Sequence, residues 1–318
     1  MAELKTAQTP TLLIKYHDHG PADGWPVILS HGFPYAPSAF DDVVPLLTRR
    51  GARVLVPYLR GFGPTRFRDA ETPRSGQQAA LGTDLLALMD VVLGSPDDND
   101  EKEGGDDDNH NNKSNKKPIV AGFDWGGVAS CVVAALWPER VAGLVSYAGY
   151  DIVDVAGQAS PAKPFLESIM WYQHLFQTER GRQCLQDHRR DLCRLLWQQW
   201  SPGWHPSDDV FARAASAFDN LDFVDVVIHA YRFCFGLESG LPELAALEKK
   251  LAEKPKITVP CITLDGSQDP LKPGGSASHD EMFTGRHERR QFNVGHAFPA
   301  EAAKEFADAI YDVYMWSH

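Results

Sequence analysis

The feature that most constrains this chain is a glycine-flanked aspartate in residues 120–130, which read V-A-G-F-D-W-G-G-V-A-S. An apolar run at 119–123 precedes it and a helix-compatible run of small residues follows at 128–136, so the pattern predicts a strand, a tight turn and a helix. Glycine at 122, 126 and 127 removes Cβ atoms that would block the turn, and the Asp124 side chain then points out of the sheet. The positive end of the helix favours its ionised form. An ordinary helix-capping aspartate would give the same local pattern, so the rest of the chain must distinguish the two.

Strands and helices alternate on both sides of this turn. Such alternation is typical of a parallel, doubly wound sheet, so the predicted fold class is α/β. The predicted strands are residues 11–16, 26–30, 53–58, 119–123, 141–148, 257–264 and 288–294, and the predicted helices are 40–49, 77–93, 128–136, 279–284 and 299–316.

One stretch interrupts the alternation before the aspartate turn. Residues 95–117 hold eight acidic residues and four lysines, without an aliphatic or aromatic side chain. No burial can offset the chain entropy lost on ordering such a segment, so it is interpreted as a disordered acidic insertion on the surface. Its aspartates could also chelate Ca²⁺, but the glycine and glutamate spacing of an EF-hand loop is lacking. We therefore expect no metal site.

A second interruption follows the strand at 141–148. Residues 149–240 are rich in aromatic residues and look mostly helical, which suggests a cap over the carboxyl edge of the sheet. The predicted division is an α/β core at 1–148 and 241–318 with a helical cap at 149–240.

Bulk composition excludes several classes of protein. The net charge is −12, which argues against binding to a nucleic-acid backbone. Five cysteines without a C-x-x-C pair suggest neither a disulfide framework nor a zinc ribbon. The start of the chain lacks an apolar signal core, and no apolar run has transmembrane length, so we expect a soluble cytoplasmic protein that makes no membrane contact. A homodimer is left open.

Residues that suit catalysis follow four of the predicted strands. They are the H-G-F-P segment at 31–34, Asp124, Asp269 in G-S-Q-D, and His296 in G-H-A-F. Catalytic groups in open α/β sheets gather at the carboxyl ends of the strands. A single aspartate or histidine at a strand end is usually a cap, but three in this order beside a glycine elbow favour a catalytic site.

Together these four segments resemble the Asp-nucleophile branch of the α/β hydrolases, which holds epoxide hydrolases and dehalogenases. The resemblance covers nearly the whole chain except the acidic insertion and the extreme N-terminus. It implies an α/β-hydrolase fold with an inserted cap and a triad in the order nucleophile, acid and histidine, here Asp124, Asp269 and His296. No cofactor is implied, because the G-F-G-P loop at 61–64 lacks the third glycine of a dinucleotide fingerprint.

An aspartate in the nucleophile position implies a particular chemistry. A carboxylate can displace a leaving group at an sp³ carbon and form an alkyl ester with the enzyme. His296, oriented by Asp269, would activate water to hydrolyse that ester. The backbone N–H groups of Phe33 and Trp125 are the predicted oxyanion hole.

Cap tyrosines separate the two reactions of this branch. In the epoxide hydrolases that this chain resembles, two cap tyrosines polarise the oxygen of the epoxide ring. One lies in a Y-Q-x-x-F stretch and the other in a Y-R stretch. The resemblance therefore implies this role for Tyr172 and Tyr231, which lie in matching stretches. The prediction is therefore an epoxide hydrolase acting on a small apolar substrate, with His31, Pro34 and Trp171 in the pocket wall. Both tyrosines could instead be packing residues.

Two other functions remain open. A haloalkane or haloacid dehalogenase would use the same triad, with an indole N–H from a cap tryptophan on the halide; the candidates are Trp171, Trp197, Trp200 and Trp204. Epoxide hydrolases often have an acidic residue and a tryptophan after H-G-F-P, and residues 35–40 of this chain lack both. The substrate class is therefore less well defined by the resemblance than the reaction is. The third function is a non-catalytic ligand-binding protein, although a pure binder has no need of an intact triad. A serine esterase is disfavoured because Ser130 lies too far into the helix.

Overall fold

The structure, a computed structural model, describes residues 3–95 and 116–317. Nine strands in these residues form one sheet. They are β1 Leu4–Gln8, β2 Leu12–His19, β3 Trp25–Ser30, β4 Ala52–Pro57, β5 Arg66–Phe67, β6 Ile119–Gly122, β7 Gly143–Tyr147, β8 Cys261–Gly266 and β9 His287–Phe292.

The sheet is mostly parallel. Its order is β1-β2-β4-β3-β6-β7-β8-β9, with β5 beside β2. Neighbours from β4 to β9 pair in parallel, whereas β2 pairs antiparallel with β1, β4 and β5. Every residue of β3, β6, β7 and β8 is buried, as expected for strands covered on both faces. The predicted α/β class is confirmed.

Helices cover the sheet and fill the long connection between β7 and β8. They are α1 Val43–Thr48, α2 Gln78–Leu93, α3 Trp125–Leu136, α4 Pro164–Ile169, α5 Trp171–Phe176, α6 Glu179–Trp200, α7 Asp208–Ala215, α8 Phe223–Cys234, α9 Ala245–Ala252, α10 Phe298–Glu301 and α11 Ala303–Ser317. Helix α3 packs on β3, β6 and β7, and α11 packs on β6, β7 and β8. Helices α2 and α3 approach closely at Gly82, where a Cβ atom would lie 2.3 Å from Val132.

The segment at 149–240 is largely helical, as the sequence predicts, and carries α4 to α8. None of the residues of α4 is buried, whereas seven residues of α6 are buried, including Trp197 and Trp200. Helix α6 is kinked at His188, whose backbone angles are not helical. The division of the chain into a core and a cap remains a prediction.

The structure differs from the sequence prediction at four places. Residues 279–284 were expected to form a helix but contain only a 3₁₀ turn at Asp280–Met282, none of whose side chains is buried. Strand β1 was missed because four of its five residues are exposed, and β5 is only two residues long. The final predicted helix is divided into α10 and α11.

The acidic insertion at 95–117 falls almost entirely outside the described residues, as does the alternative Ca²⁺ site there. Within the described part of the chain, no helix combines the length and the apolar character needed to cross a membrane.

Candidate active site

Asp124 lies in the turn between β6 and α3 with a φ of +52°. The predicted role of the flanking glycines is confirmed by the space around them. A Cβ atom on Gly126 would lie 1.9 Å from the carbonyl oxygen of Ser30, and one on Gly122 would lie 2.3 Å from that of Gly126. The turn is therefore tight enough to exclude any side chain at these glycines, which leaves the Asp124 carboxylate at its apex.

Two backbone N–H groups bind one oxygen of this carboxylate. Asp124 Oδ1 accepts hydrogen bonds from the backbone of Phe33 and of Trp125, each at 2.7 Å. These are the two groups predicted as the oxyanion hole. A Cβ atom on Gly32 would lie 2.4 Å from Asp124 Oδ1, so only glycine lets the 31–34 loop come this close. The second oxygen, Oδ2, lies 3.5 Å from His296 Nε2.

A buried carboxylate orients the His296 ring. Asp269 Oδ2 lies 2.8 Å from His296 Nδ1 and also accepts from the Tyr147 hydroxyl at 2.9 Å. The other oxygen of Asp269 accepts from the backbone N–H of Leu271 at 2.8 Å. The Asp269 side chain is completely buried and that of His296 is 3% exposed. The structure thus brings the three predicted triad residues together.

The charge state of His296 is set by competing effects. Burial lowers its pKa, but Asp269 and Asp124 more than compensate and raise the pKa to about 10. While both carboxylates carry their charge, the imidazole is therefore protonated at neutral pH.

The backbone around His296 is held from the helical segment. The N–H of His296 donates to the carbonyl of Trp200 at 3.0 Å, and the N–H of Ala297 donates to Ser201 Oγ at 2.9 Å. Glu301 Oε2 accepts from the N–H of Gly295 at 2.9 Å. The sequence reasoning missed these contacts and the Tyr147 bond, because no local pattern announces a partner so far along the chain.

Tyr172 on α5 and Tyr231 on α8 meet at the site. Their ring centroids are 5.3 Å apart and the rings are perpendicular. Gln173 donates to the Tyr172 hydroxyl at 3.0 Å. Burial raises the pKa of both tyrosines, and the negative charge of Asp124 raises each further. Both side chains are therefore hydrogen-bond donors at neutral pH.

Aromatic rings enclose the space around these groups. Phe33 packs between the Asp124 turn and the helices, with neighbouring ring centroids 5.6 to 6.5 Å away. Those neighbours are Trp125, Tyr172, Phe176, Trp200, Phe223 and Tyr231. Such a lining suits an apolar ligand.

The three predicted pocket residues, His31, Pro34 and Trp171, all hydrogen-bond to other groups of the protein. His31 is fully buried; its Nδ1 bonds the Gly32 carbonyl and its Nε2 accepts from the Leu59 N–H, and burial lowers its pKa to about 4. It is therefore a neutral residue that fixes the loop. The Pro34 carbonyl accepts from the Trp197 indole at 2.9 Å. The Trp171 indole donates to Gln199 at 2.9 Å while its ring packs on Tyr172. Their assignment to the pocket wall remains a prediction.

Comparison with known proteins agrees with this geometry. A sequence model of the alpha/beta hydrolase family matches residues 27–309. The crystal structure of a proposed epoxide hydrolase from Klebsiella pneumoniae is 40% identical, covers 98% of this chain and 97% of its own, and superimposes with a TM-score of 0.89. A haloalkane dehalogenase from Mycobacterium marinum is 42% identical over 71 residues, 21% of this chain and 24% of that protein. Epoxide hydrolase B from Mycobacterium tuberculosis is 24% identical over 216 residues, 63% of this chain and 54% of that protein.

The chain belongs to the α/β-hydrolase family. The predicted resemblance to the branch that holds epoxide hydrolases and dehalogenases is confirmed, since both kinds of enzyme stand among its relatives. The matched region spans only about a quarter of the M. marinum dehalogenase and about half of the M. tuberculosis epoxide hydrolase.

Proposed function

We propose that this hydrolase opens an epoxide to a vicinal diol through an ester on Asp124. The observation that carries the proposal is the buried tyrosine pair, Tyr172 and Tyr231, whose hydroxyl groups remain protonated beside the Asp124 carboxylate. An epoxide oxygen leaves as an alkoxide and therefore needs a proton donor, which this pair supplies. In this proposal residues 149–240 act as the cap that encloses the substrate.

In the first step, Asp124 Oδ2 attacks a ring carbon. The new C–O bond forms as the epoxide C–O bond breaks, and a tyrosine proton passes to the departing oxygen. Asp124 Oδ1 becomes the carbonyl oxygen of the ester. It already accepts from the N–H groups of Phe33 and Trp125, so the ester carbonyl forms inside a preorganised oxyanion hole.

In the second step, His296 activates water. Ester formation removes the charge of Asp124, one of the two charges that raise the pKa of His296. The imidazole can therefore release its proton to solvent and act as a base, while the tyrosinate left by the first step regains a proton from solvent. Water attacks the ester carbonyl and gives a proton to His296, while Asp269 stabilises the imidazolium. Collapse of the tetrahedral intermediate returns that proton to the departing diol oxygen and leaves Asp124 as a carboxylic acid. Its remaining proton, which came from water, passes to His296 and restores both the carboxylate and the imidazolium.

Dehalogenation is the second candidate because it needs only weak N–H donors at the leaving group. It is favoured by the M. marinum relative, which is named as a haloalkane dehalogenase. The same ester would form on Asp124, with a halide ion as the leaving group.

The test is turnover of purified protein on styrene oxide, a chloroalkane and fluoroacetate, with mass spectrometry of protein quenched during turnover. Diol release with an alkyl adduct on the Asp124 peptide supports the proposal. Halide release with the same adduct supports dehalogenation instead. A folded protein that turns over none of the three would move the assignment to a different substrate or to ligand binding. Asp124→Ala serves as the control that should form no adduct.

A further inference from the structure

The Trp200 indole N–H is a buried donor without a partner. The side chain is 0% exposed, and its Nε1 makes no hydrogen bond to any described residue. Its ring lies among the groups of the site, with centroid distances of 5.1 Å to Tyr172, 5.3 Å to His296 and 6.5 Å to Phe33. A buried donor that stays unpaired costs free energy, so this position favours a polar species that binds in the site.

Two other tryptophans of the helical segment, Trp171 and Trp197, differ in this respect. The indole of Trp171 donates to Gln199 and that of Trp197 donates to the carbonyl of Pro34. Of these three indoles, only that of Trp200 has its donor free for a bound species.

His296 Nε2 is a second buried atom without a hydrogen bond among the described residues. Its nearest charged neighbour is Asp124 Oδ2 at 3.5 Å. Once Asp124 is esterified, Asp269 still binds the Nδ1–H of His296, which leaves a lone pair on Nε2. The two atoms then have complementary requirements, because the indole can only donate and Nε2 can only accept. One water molecule, accepting from the first and donating to the second, satisfies both.

The backbone fixes the two rings relative to each other. The Trp200 carbonyl accepts from the His296 N–H, and the next residue, Ser201, accepts from the Ala297 N–H. The edge of one ring faces the other at an interplanar angle of 74°. The relative position of the indole and the imidazole is therefore fixed by these backbone links, and a species that contacts both must lie beside the paired rings.

We propose that the Trp200 indole N–H positions the hydrolytic water for His296 and thus acts in ester hydrolysis, not in ester formation. The inference rests on the proposed ester on Asp124 but holds for an epoxide or a halide substrate. As the water oxygen bonds to the ester carbonyl carbon, one water proton moves to His296 Nε2. Trp200 keeps its own proton throughout.

The test is Trp200→Phe, followed by rapid quench and mass spectrometry in a single turnover on whichever substrate is turned over. The rate of ester formation should stay at the wild-type value, while the decay rate of the ester falls about tenfold, the effect of losing one hydrogen bond in a transition state. In steady state, kcat and KM should fall together, with kcat/KM unchanged. Loss of packing alone would lower kcat/KM and would not accumulate the ester.

Replacement of Trp200 by benzothienylalanine keeps the shape of the indole, removes only the N–H and should give the same kinetics even if Phe disturbs packing. Trp316→Phe, on α11 with its ring packed on Arg286, is the matched control and should behave as wild type. Ester decay at the wild-type rate in both Trp200 variants overturns the inference. A decrease in the rate of ester formation alone also overturns it, because the indole would then donate to the leaving group.

Two further variants separate failure of this inference from failure of the proposed function. His296→Gln should accumulate the ester; if it forms none, the proposed chemistry on Asp124 is wrong. The Tyr35 hydroxyl is also buried without a hydrogen-bond partner among the described residues, and its ring lies 6.2 Å from that of His296. Slow ester decay in Tyr35→Phe with normal decay in Trp200→Phe would assign the water to Tyr35 and overturn the inference.

Discussion

His296 Nε2 lies 3.5 Å from Oδ2 of Asp124, a separation at which the charge of one group controls the protonation of the other. Burial alone would lower the pKa of the imidazole, yet the pKa is raised to about 10. In the proposed cycle this coupling keeps the base protonated until Asp124 has reacted. Ester formation then removes the charge that held the proton.

The first prediction concerns this coupling. Asp124→Asn should lower the pKa of His296, because it removes one of the two carboxylate charges that raise it and leaves the effect of burial in place. Titration of ¹⁵N-labelled histidine by NMR, without substrate, measures the shift in both proteins. An unchanged titration of His296 in the variant would contradict the coupling.

The same raised pKa predicts how stability depends on pH. His296 binds its proton more tightly in the folded state than in the unfolded chain, where its pKa is about 6.5. Its contribution to the free energy of unfolding is therefore fully present below about pH 6.5 and is lost as the pH rises towards about 10. Denaturation of the wild type and of His296→Gln across this range measures the difference. Parallel pH profiles would contradict the prediction.

The tyrosine pair gives a prediction that separates the two candidate reactions. Tyr172→Phe and Tyr231→Phe should each lower kcat/KM on styrene oxide about 100-fold, because each removes a donor at the developing alkoxide. Ester decay should be unaffected, since neither hydroxyl acts in hydrolysis in the proposed cycle. A chloroalkane, whose leaving group needs no proton, provides the comparison. Equal losses on both substrates would indicate that the tyrosines only support packing.

Much of this site follows from local sequence. The glycines around Asp124 encode the turn. Asp124 and Asp269 follow the buried strands β6 and β8, and His296 follows the edge strand β9, so the parallel sheet brings all three to one edge. The contacts that sequence reasoning missed join distant segments. Tyr147 reaches Asp269 across 122 residues, and Ser201 binds the Ala297 N–H across 96. Neither residue type nor spacing indicates such pairs, because they depend on how separate elements pack.

The tight approach of the 31–34 loop to Asp124 gives a further prediction. Gly32→Ala would place a Cβ atom 2.4 Å from Asp124 Oδ1, which two hydrogen bonds hold in place. The carboxylate must move away from its N–H donors, so kcat/KM should fall about 100-fold, as for loss of an oxyanion-hole donor. Gly203→Ala is the matched control, because its Cβ atom would meet nothing within 4 Å and activity should be retained. Full activity of Gly32→Ala would show that the loop adapts.

The last prediction concerns a buried ion pair beside the glycine loop at 61–64. Arg60 donates to both oxygens of Asp84, at 2.6 and 2.8 Å, and to the carbonyl of Ser75 at 2.6 Å, with side-chain exposures of 2% for Arg60 and 11% for Asp84. Burial raises the pKa of Asp84, and Arg60 opposes that effect.

Arg60→Met should lower the free energy of unfolding by about 3–5 kcal/mol, because it leaves a buried carboxylate unpaired. The double variant Arg60→Met/Asp84→Leu removes both charges and should recover most of that loss, since an apolar pair of similar volume is often neutral or stabilising. Urea denaturation of the three proteins measures the effect. If the double variant is no more stable than Arg60→Met, Arg60 stabilises the fold through its hydrogen bond to Ser75 and not through the ion pair.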